Sequence, residues 1–99
     1  LLIKMLKRRE KMTKVEWKVM KQDWQDKAEK MLVGKKIVKV RWMTDKEAKA
    51  AYWRNKPICM LLDNGEWIYP SADDEGNNGG ALFTTSKVES CLPVMNIGD

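Results

Sequence analysis

The spacing of apolar residues changes at Gly34, and this change constrains the fold more than any other feature of the chain. Before Gly34, Trp17, Met20, Trp24 and Met31 follow the three-and-four spacing of one helical face. After it, apolar residues fall at every second position, which is typical of one face of a β-strand. The pattern predicts a helix followed by a β-rich segment. The 99 residues are enough for one domain.

The predicted helix spans roughly residues 14–33 and has recognisable ends. Thr13 and Glu16 have the spacing of a capping box, in which each side chain bonds the backbone N–H of the other. Gly34 can adopt the left-handed conformation that ends a helix. We interpret the apolar stripe, with its two tryptophans, as core that lies across a sheet.

Two further elements follow before the middle of the chain. Val38, Val40 and Trp42 alternate with other side chains and predict a strand with one apolar face. Thr44 and Glu47 repeat the capping-box spacing and predict a short helix.

Asp63-Asn64-Gly65-Glu66 is the clearest turn signal, because Asn-Gly between apolar runs favours a type I′ hairpin. That turn pairs Leu62 with Trp67 and Met60 with Tyr69. Both faces of the hairpin are then apolar, so one must be covered by the N-terminal helix or by a second copy of the chain. We therefore predict that Met60, Leu62, Trp67 and Tyr69 form a self-association surface.

A polar loop over residues 71–80 and two short strands, around 81–85 and 91–95, complete the pattern. One helix ahead of five strongly bent strands resembles the Sm-like and wider SH3-like small β-barrels. The stretches GKKIVKVRWMTDKE, LLDNGEWIYPS, DDEGNNGGALFTT and LPVM are similar to small proteins of marine bacteria and phages. This resemblance implies a single mainly β (α+β) domain, with a helix over 13–34 and a small barrel over 35–96. It brings no known activity.

The RNA-binding residues of Sm proteins do not carry over with the resemblance. Those proteins use an Asp-x-Met-Asn segment and a later basic segment with glycine. Here Asp63-Asn64-Gly65 stands in the hairpin, and the later loop carries the acidic run Asp73-Asp74-Glu75.

Basic residues are concentrated early in the chain, because residues 1–43 carry a net charge of +9 and residues 44–99 a net charge of −4. Positive side chains near an exposed aromatic ring can bind phosphates and stack on bases. The same side chains could equally be the solvated side of a strand. The candidate nucleic-acid surface consists of Lys35, Lys36, Lys39 and Arg41.

Met12 is a candidate for the natural start of the chain. With A-rich codons, the residues before it would spell a bacterial ribosome-binding sequence at normal spacing. Residues 1–11 would then be a non-native leader with five positive charges and one negative charge, and the rest of the chain would carry only +1. The alternative is a genuine basic extension of the helix.

The residue types favour binding over catalysis. There is no histidine, which removes the usual general base and the commonest metal ligand. No glycine-rich phosphate-binding motif occurs. Cys59 and Cys91 lack metal-site spacing, and we interpret them as small core residues with free thiols in a reducing cytoplasm. One disulfide between them is the alternative. The apolar runs are too short to span a membrane.

The acidic loop over residues 73–78 offers oxygen ligands suited to calcium but lacks EF-hand spacing, so we predict no metal and no cofactor. In another interpretation this loop meets the Lys35 and Lys36 end of a second copy. The leading hypothesis is a non-catalytic, cytoplasmic module that forms homo-oligomers, acts through protein contacts and has no small-molecule substrate. The rival is an Sm-like RNA-binding protein, and an enzyme of unknown class is a remote third.

Overall fold

The computed structural model describes residues 13–99, so the leader predicted for residues 1–11 lies outside the described part of the chain. The chain divides into two compact units, Leu1–Lys35 and Lys36–Asp99. The described residues of the first unit form one long helix, and the second unit contains a short helix with antiparallel ladders.

Helix α1 spans Lys14–Leu32, which confirms the predicted helix to within one residue. The Thr13 side chain caps its start by accepting a 3.1 Å hydrogen bond from the backbone N–H of Glu16. Gly34 has a φ of +77°, the left-handed conformation predicted for the residue that ends this helix.

The side chains of the apolar stripe of α1 are buried to different extents. Met20 is buried, whereas Trp17 and Trp24 are half-buried. The Nζ atom of Lys27 lies 4.8 Å from the centre of the Trp24 ring. Within residues 13–99, no helix combines the length and the apolar character needed to cross a bilayer.

The second unit has one helix and seven short strands among the described residues. In chain order these are β1 (Ile37–Trp42), α2 (Asp45–Ala50), β2 (Asn55–Lys56), β3 (Ile58–Leu62), β4 (Trp67–Ile68), β5 (Leu82–Phe83), β6 (Cys91–Leu92) and β7 (Met95–Asn96). The strands form three separate antiparallel sheets: β1-β3-β4, β2-β7 and β5-β6. The combination of helix and strand is as predicted, but no closed barrel forms within residues 13–99.

The hairpin between β3 and β4 has a different register from the one the Asn-Gly turn predicts. Met60 pairs with Ile68 and Leu61 with Trp67, one residue out from the expected pairing. Gly65 has a φ of +89°, but Asn64 does not have a positive φ, so the turn is not type I′. The loop has three residues and ends in a left-handed glycine, the arrangement of a type I turn followed by a bulge.

Strand β1 is an edge strand that pairs with β3, with Lys39 opposite Leu61 and Arg41 opposite Cys59. The register shifts between Ile37 and Lys39, so Val38 is the extra residue of a bulge. The predicted apolar face of this strand is therefore interrupted, and Val40 is 54% exposed.

A buried cluster of the second unit joins α2 to the β1-β3-β4 sheet, and Ile58 and Leu62 of β3 are buried outside this cluster. Thr44 and Glu47 form the predicted capping box at the start of α2. The buried cluster consists of Met43, Ala48, Trp53 and Cys59, with Ile97 packed against it. Both cysteines are free thiols, as predicted: Cys59 is buried and Cys91 is half-buried.

Candidate functional site

The register of the β1-β3-β4 sheet sorts its side chains into two faces of different character. Paired residues share a face, and side chains alternate along each strand. The front face carries Lys39, Arg41, Cys59, Leu61 and Trp67. The back face carries Val40, Trp42, Ile58, Met60 and Ile68. Charged and aromatic residues therefore meet on the front face, and the back face is apolar.

A groove of about 430 Å³ lies between α2 and the front face. We call it the aromatic groove, and it is lined by Arg41, Met43, Glu47, Ala51, Cys59, Trp67 and Tyr69. Trp67 is 37% exposed and Tyr69 is 49% exposed, so solvent reaches two aromatic side chains at this site. Partly exposed Trp and Tyr side chains are enriched at binding surfaces.

Arg41 and Glu47 form one charged wall of the aromatic groove. The two guanidinium nitrogens of Arg41 donate to the two carboxylate oxygens of Glu47 at 2.8 and 3.0 Å. The Arg41 guanidinium also lies 4.7 Å from the centre of the Trp67 ring, in cation–π geometry. The wall is electrically balanced, and it holds the Trp67 ring in place.

Glu47 is held in its ionised form. The hydrogen bond from Arg41, helped by the backbone N–H of Thr44, lowers the pKa of Glu47 from 4.5 to about 2. A carboxylate with so low a pKa is a poor general base near neutral pH, because it hardly takes up a proton there.

Cys59 contributes a buried thiol to the groove. Its Sγ lies 3.7 Å from the carbonyl oxygen of Pro57. Burial raises the pKa of the Cys59 thiol above its usual value. A thiol that stays protonated at neutral pH is a weak nucleophile, so the geometry at Cys59 is that of a packing residue.

Tyr69 is supported from behind by Trp53. The two rings meet edge to face, with centroids 5.9 Å apart and planes at 66°. Trp53 in turn donates a 2.6 Å hydrogen bond from Nε1 to the carbonyl oxygen of Gly76. The polar loop is thus anchored to the ring that fixes Tyr69.

The structure brings together only part of each predicted site. Of the self-association set, Trp67 and Tyr69 line the aromatic groove, whereas Met60 and Leu62 belong to the opposite face. The one-residue change in hairpin register separates them, because such a shift moves side chains to the other side of a strand. Leu62 is also buried, with 4% exposure.

The candidate nucleic-acid residues are divided as well. Lys35 belongs to the first unit, and the carbonyl of Lys36 accepts a 2.9 Å hydrogen bond from the Asp63 N–H. Lys39 is exposed on the front face, near Trp67 in the register. Arg41 is already paired with Glu47.

The acidic loop uses its first carboxylate internally. Asp73 accepts hydrogen bonds from the backbone N–H groups of Glu75 and Asn77, at 3.0 and 3.1 Å, and from the Asn77 amide at 2.9 Å. The Asn77 bonds are the main reason that the pKa of Asp73 is lowered. Within residues 13–99, no three His, Cys, Asp or Glu side chains are grouped as metal ligands would be.

The predicted sites do not include four of the groove residues, Met43, Glu47, Ala51 and Cys59, or their neighbour Tyr52. The sequence pattern identifies Glu47 as a helix cap but not as the partner of Arg41, and it indicates only a free core thiol at Cys59. Tyr52 follows Ala51 at the groove wall and is 93% exposed. The available sequence signal for Tyr52 was that the predicted short helix ends without a glycine after it.

The chain was compared with family models, with curated proteins and with solved structures, and none of the three comparisons gave a match.

Proposed function

We propose that this chain is a non-catalytic, cytoplasmic module that self-associates and acts through protein contacts made by the aromatic groove. The observation that carries the proposal is the pair of partly exposed rings, Trp67 and Tyr69, beside a charge-balanced wall. If this wall is buried in an interface, each of its charges keeps its partner when it loses solvent. Burying the rings removes apolar surface from water.

The chemistry of the groove supports binding over catalysis. Its carboxylate, Glu47, is held ionised by Arg41, and its thiol, Cys59, is held protonated by burial. Neither group is tuned to exchange a proton or attack a substrate near neutral pH. This combination favours an interaction surface.

The Sm-like or SH3-like comparison remains part of the proposal. A helix that precedes the antiparallel β1-β3-β4 sheet in the chain supports it. The bulge at Val38 and the left-handed Gly65 are the kinds of feature that bend small sheets.

A nucleic-acid-binding protein is the second candidate, and the position of Lys39 on the same face as Trp67 favours it. A lysine on the same face as an exposed ring can contact a phosphate while the ring stacks on a base. The second unit carries 8 Lys and Arg against 9 Asp and Glu, which gives little long-range attraction to a polyanion.

Light scattering on the full chain over a range of concentrations tests the leading proposal. We expect a mass above that of the 11.5 kDa monomer, with dissociation on dilution. The Trp67→Ala variant should remain monomeric at concentrations where the unaltered chain associates. A chain that stays monomeric throughout contradicts the proposal.

Binding to single-stranded RNA and DNA at low and high salt tests the second candidate. Retardation at low salt that is lost at high salt, and weakened by Lys39→Ala, would favour nucleic acid. Absence of retardation at low salt would exclude it.

A further inference from the structure

Tyr52 occupies a backbone position that normally favours glycine. Its φ is +60°, and within residues 13–99 it is the only residue other than glycine with a positive φ. A side chain with a Cβ atom is strained in this region, and residues held there often serve a function.

The hydrogen bonds around Tyr52 explain how the strain is maintained. The Tyr52 N–H donates to the carbonyl of Lys49 at 3.1 Å, and the Trp53 N–H donates to that of Ala48 at 2.8 Å. These two bonds form a Schellman motif, with Tyr52 at the left-handed position. Trp53 and Ala48 both belong to the buried core cluster, so core packing holds the turn closed.

The strained residue projects its side chain into solvent. Tyr52 is 93% exposed, so packing within the chain does not account for a large aromatic side chain at this position. Glycine would relieve the strain without loss of any core contact. A strained, exposed tyrosine at this position has a physical reason if its ring is buried against another molecule.

The surface next to Tyr52 supplies a matching cavity. Tyr52 directly follows Ala51, which lines the aromatic groove, and the groove of about 430 Å³ has room for an aromatic side chain. Its exposed rings, Trp67 and Tyr69, can pack edge to face with a third ring. The paired charges of its wall need no counter-charge from the occupant.

We infer that Tyr52 of one copy enters the aromatic groove of a second copy, related to the first by a two-fold axis. A two-fold interface must be self-complementary, and a protruding ring beside a groove on one surface meets that condition. Each copy then donates one tyrosine and receives one. The inference rests on the proposed self-association, and it identifies Tyr52 of the other copy as the occupant of the aromatic groove.

Sedimentation velocity on the full chain and on Tyr52→Gly tests this inference. Removing the ring should weaken self-association about tenfold or more, as expected for an aromatic anchor. The melting temperature should be equal to or above that of the unaltered chain, because glycine suits the left-handed turn. Loss of association without loss of stability separates a binding role from a structural one.

Two further variants complete the experiment. Tyr52→Asn also tolerates the left-handed conformation and should likewise weaken association. Phe83→Ser removes another exposed aromatic side chain, 77% exposed at the β5-β6 ladder, and should leave association unchanged. It is the matched control for a general loss of apolar surface.

The possible failures are distinguishable. If the unaltered chain associates and Tyr52→Gly associates equally well, the role of Tyr52 is wrong and the proposed function stands. If Phe83→Ser weakens association as much as Tyr52→Gly, the tyrosine-in-groove contact is also wrong. If the unaltered chain is monomeric at every concentration, both the inference and the proposed function are overturned.

Discussion

The guanidinium of Arg41 and the carboxylate of Glu47 connect β1 to α2 through two hydrogen bonds, of 2.8 and 3.0 Å. Glu47 also accepts from the Thr44 backbone N–H at 3.0 Å, so one carboxylate serves as both helix cap and ion-pair partner. This dual use shapes the aromatic groove and predicts how the fold responds to acid.

Glu47→Gln should lower stability at neutral pH and matter little in strong acid. The folded-state pKa of Glu47 is about 2, below its ordinary 4.5. The stabilisation is therefore fully present above pH 4.5 and is lost as the pH falls towards 2. Urea midpoints at pH 7, 4 and 2.5 should show the gap between variant and unaltered chain closing with acid. A gap of constant size would contradict this role of Glu47.

Asp45→Asn should destabilise the fold more than Lys56→Met does. The Nζ atom of Lys56, a residue only 6% exposed, lies 2.7 Å from an Asp45 oxygen. Asn leaves a buried ammonium without its counter-charge, whereas Met removes the buried charge and keeps the apolar stem. Thermal unfolding at neutral pH checks the order. A larger loss for Lys56→Met would show that the lysine packs or bonds in a way methionine cannot replace.

Gly79→Ala should be among the most damaging glycine substitutions in the second unit. A Cβ atom there would lie 2.6 Å from Pro57 Cδ and 2.7 Å from the Asn55 carbonyl oxygen. Overpacking of this kind costs about 1–3 kcal/mol or more, since backbone must move. Gly65→Ala is the comparison, because its Cβ atom meets open space and only the left-handed φ of +89° is strained. Urea unfolding measures both, and an equal or smaller loss for Gly79→Ala would contradict the close approach.

Local signals in the sequence predicted the helices well. Thr13 and Gly34 mark the ends of α1, and Thr44 with Glu47 marks the start of α2, because capping depends on residues only three or four positions apart. These interactions form in the same way in many tertiary contexts. The predictions were therefore close to the observed elements.

The register of the hairpin could not be predicted from local signals. Asn64-Gly65 fits both a two-residue type I′ loop and a three-residue loop with a left-handed glycine, and the two differ by one residue in register. That difference places Trp67 on the front face and Met60 on the back face. The set of residues that share the candidate site therefore depended on the hairpin register.

Pairings between residues far apart in the sequence were not predictable from the helical or the strand spacing of apolar residues. The β2-β7 ladder joins Asn55 to Asn96 and Lys56 to Met95, two pairs without any periodic signal. The exposed, strained position of Tyr52 was not predictable either, because it depends on the backbone conformation at the end of α2.

The side-chain N–H signals of the tryptophans offer the most direct test of the central claim, that the aromatic groove is the self-association surface. Trp67 lies in the groove, whereas the Trp42 Nε1–H donates internally to the Pro93 carbonyl at 2.9 Å. In nuclear magnetic resonance spectra of the full chain, dilution should shift the Trp67 indole signal and leave that of Trp42 nearly unchanged. Indole signals that do not depend on concentration, or a shift at Trp42 with none at Trp67, would contradict the claim.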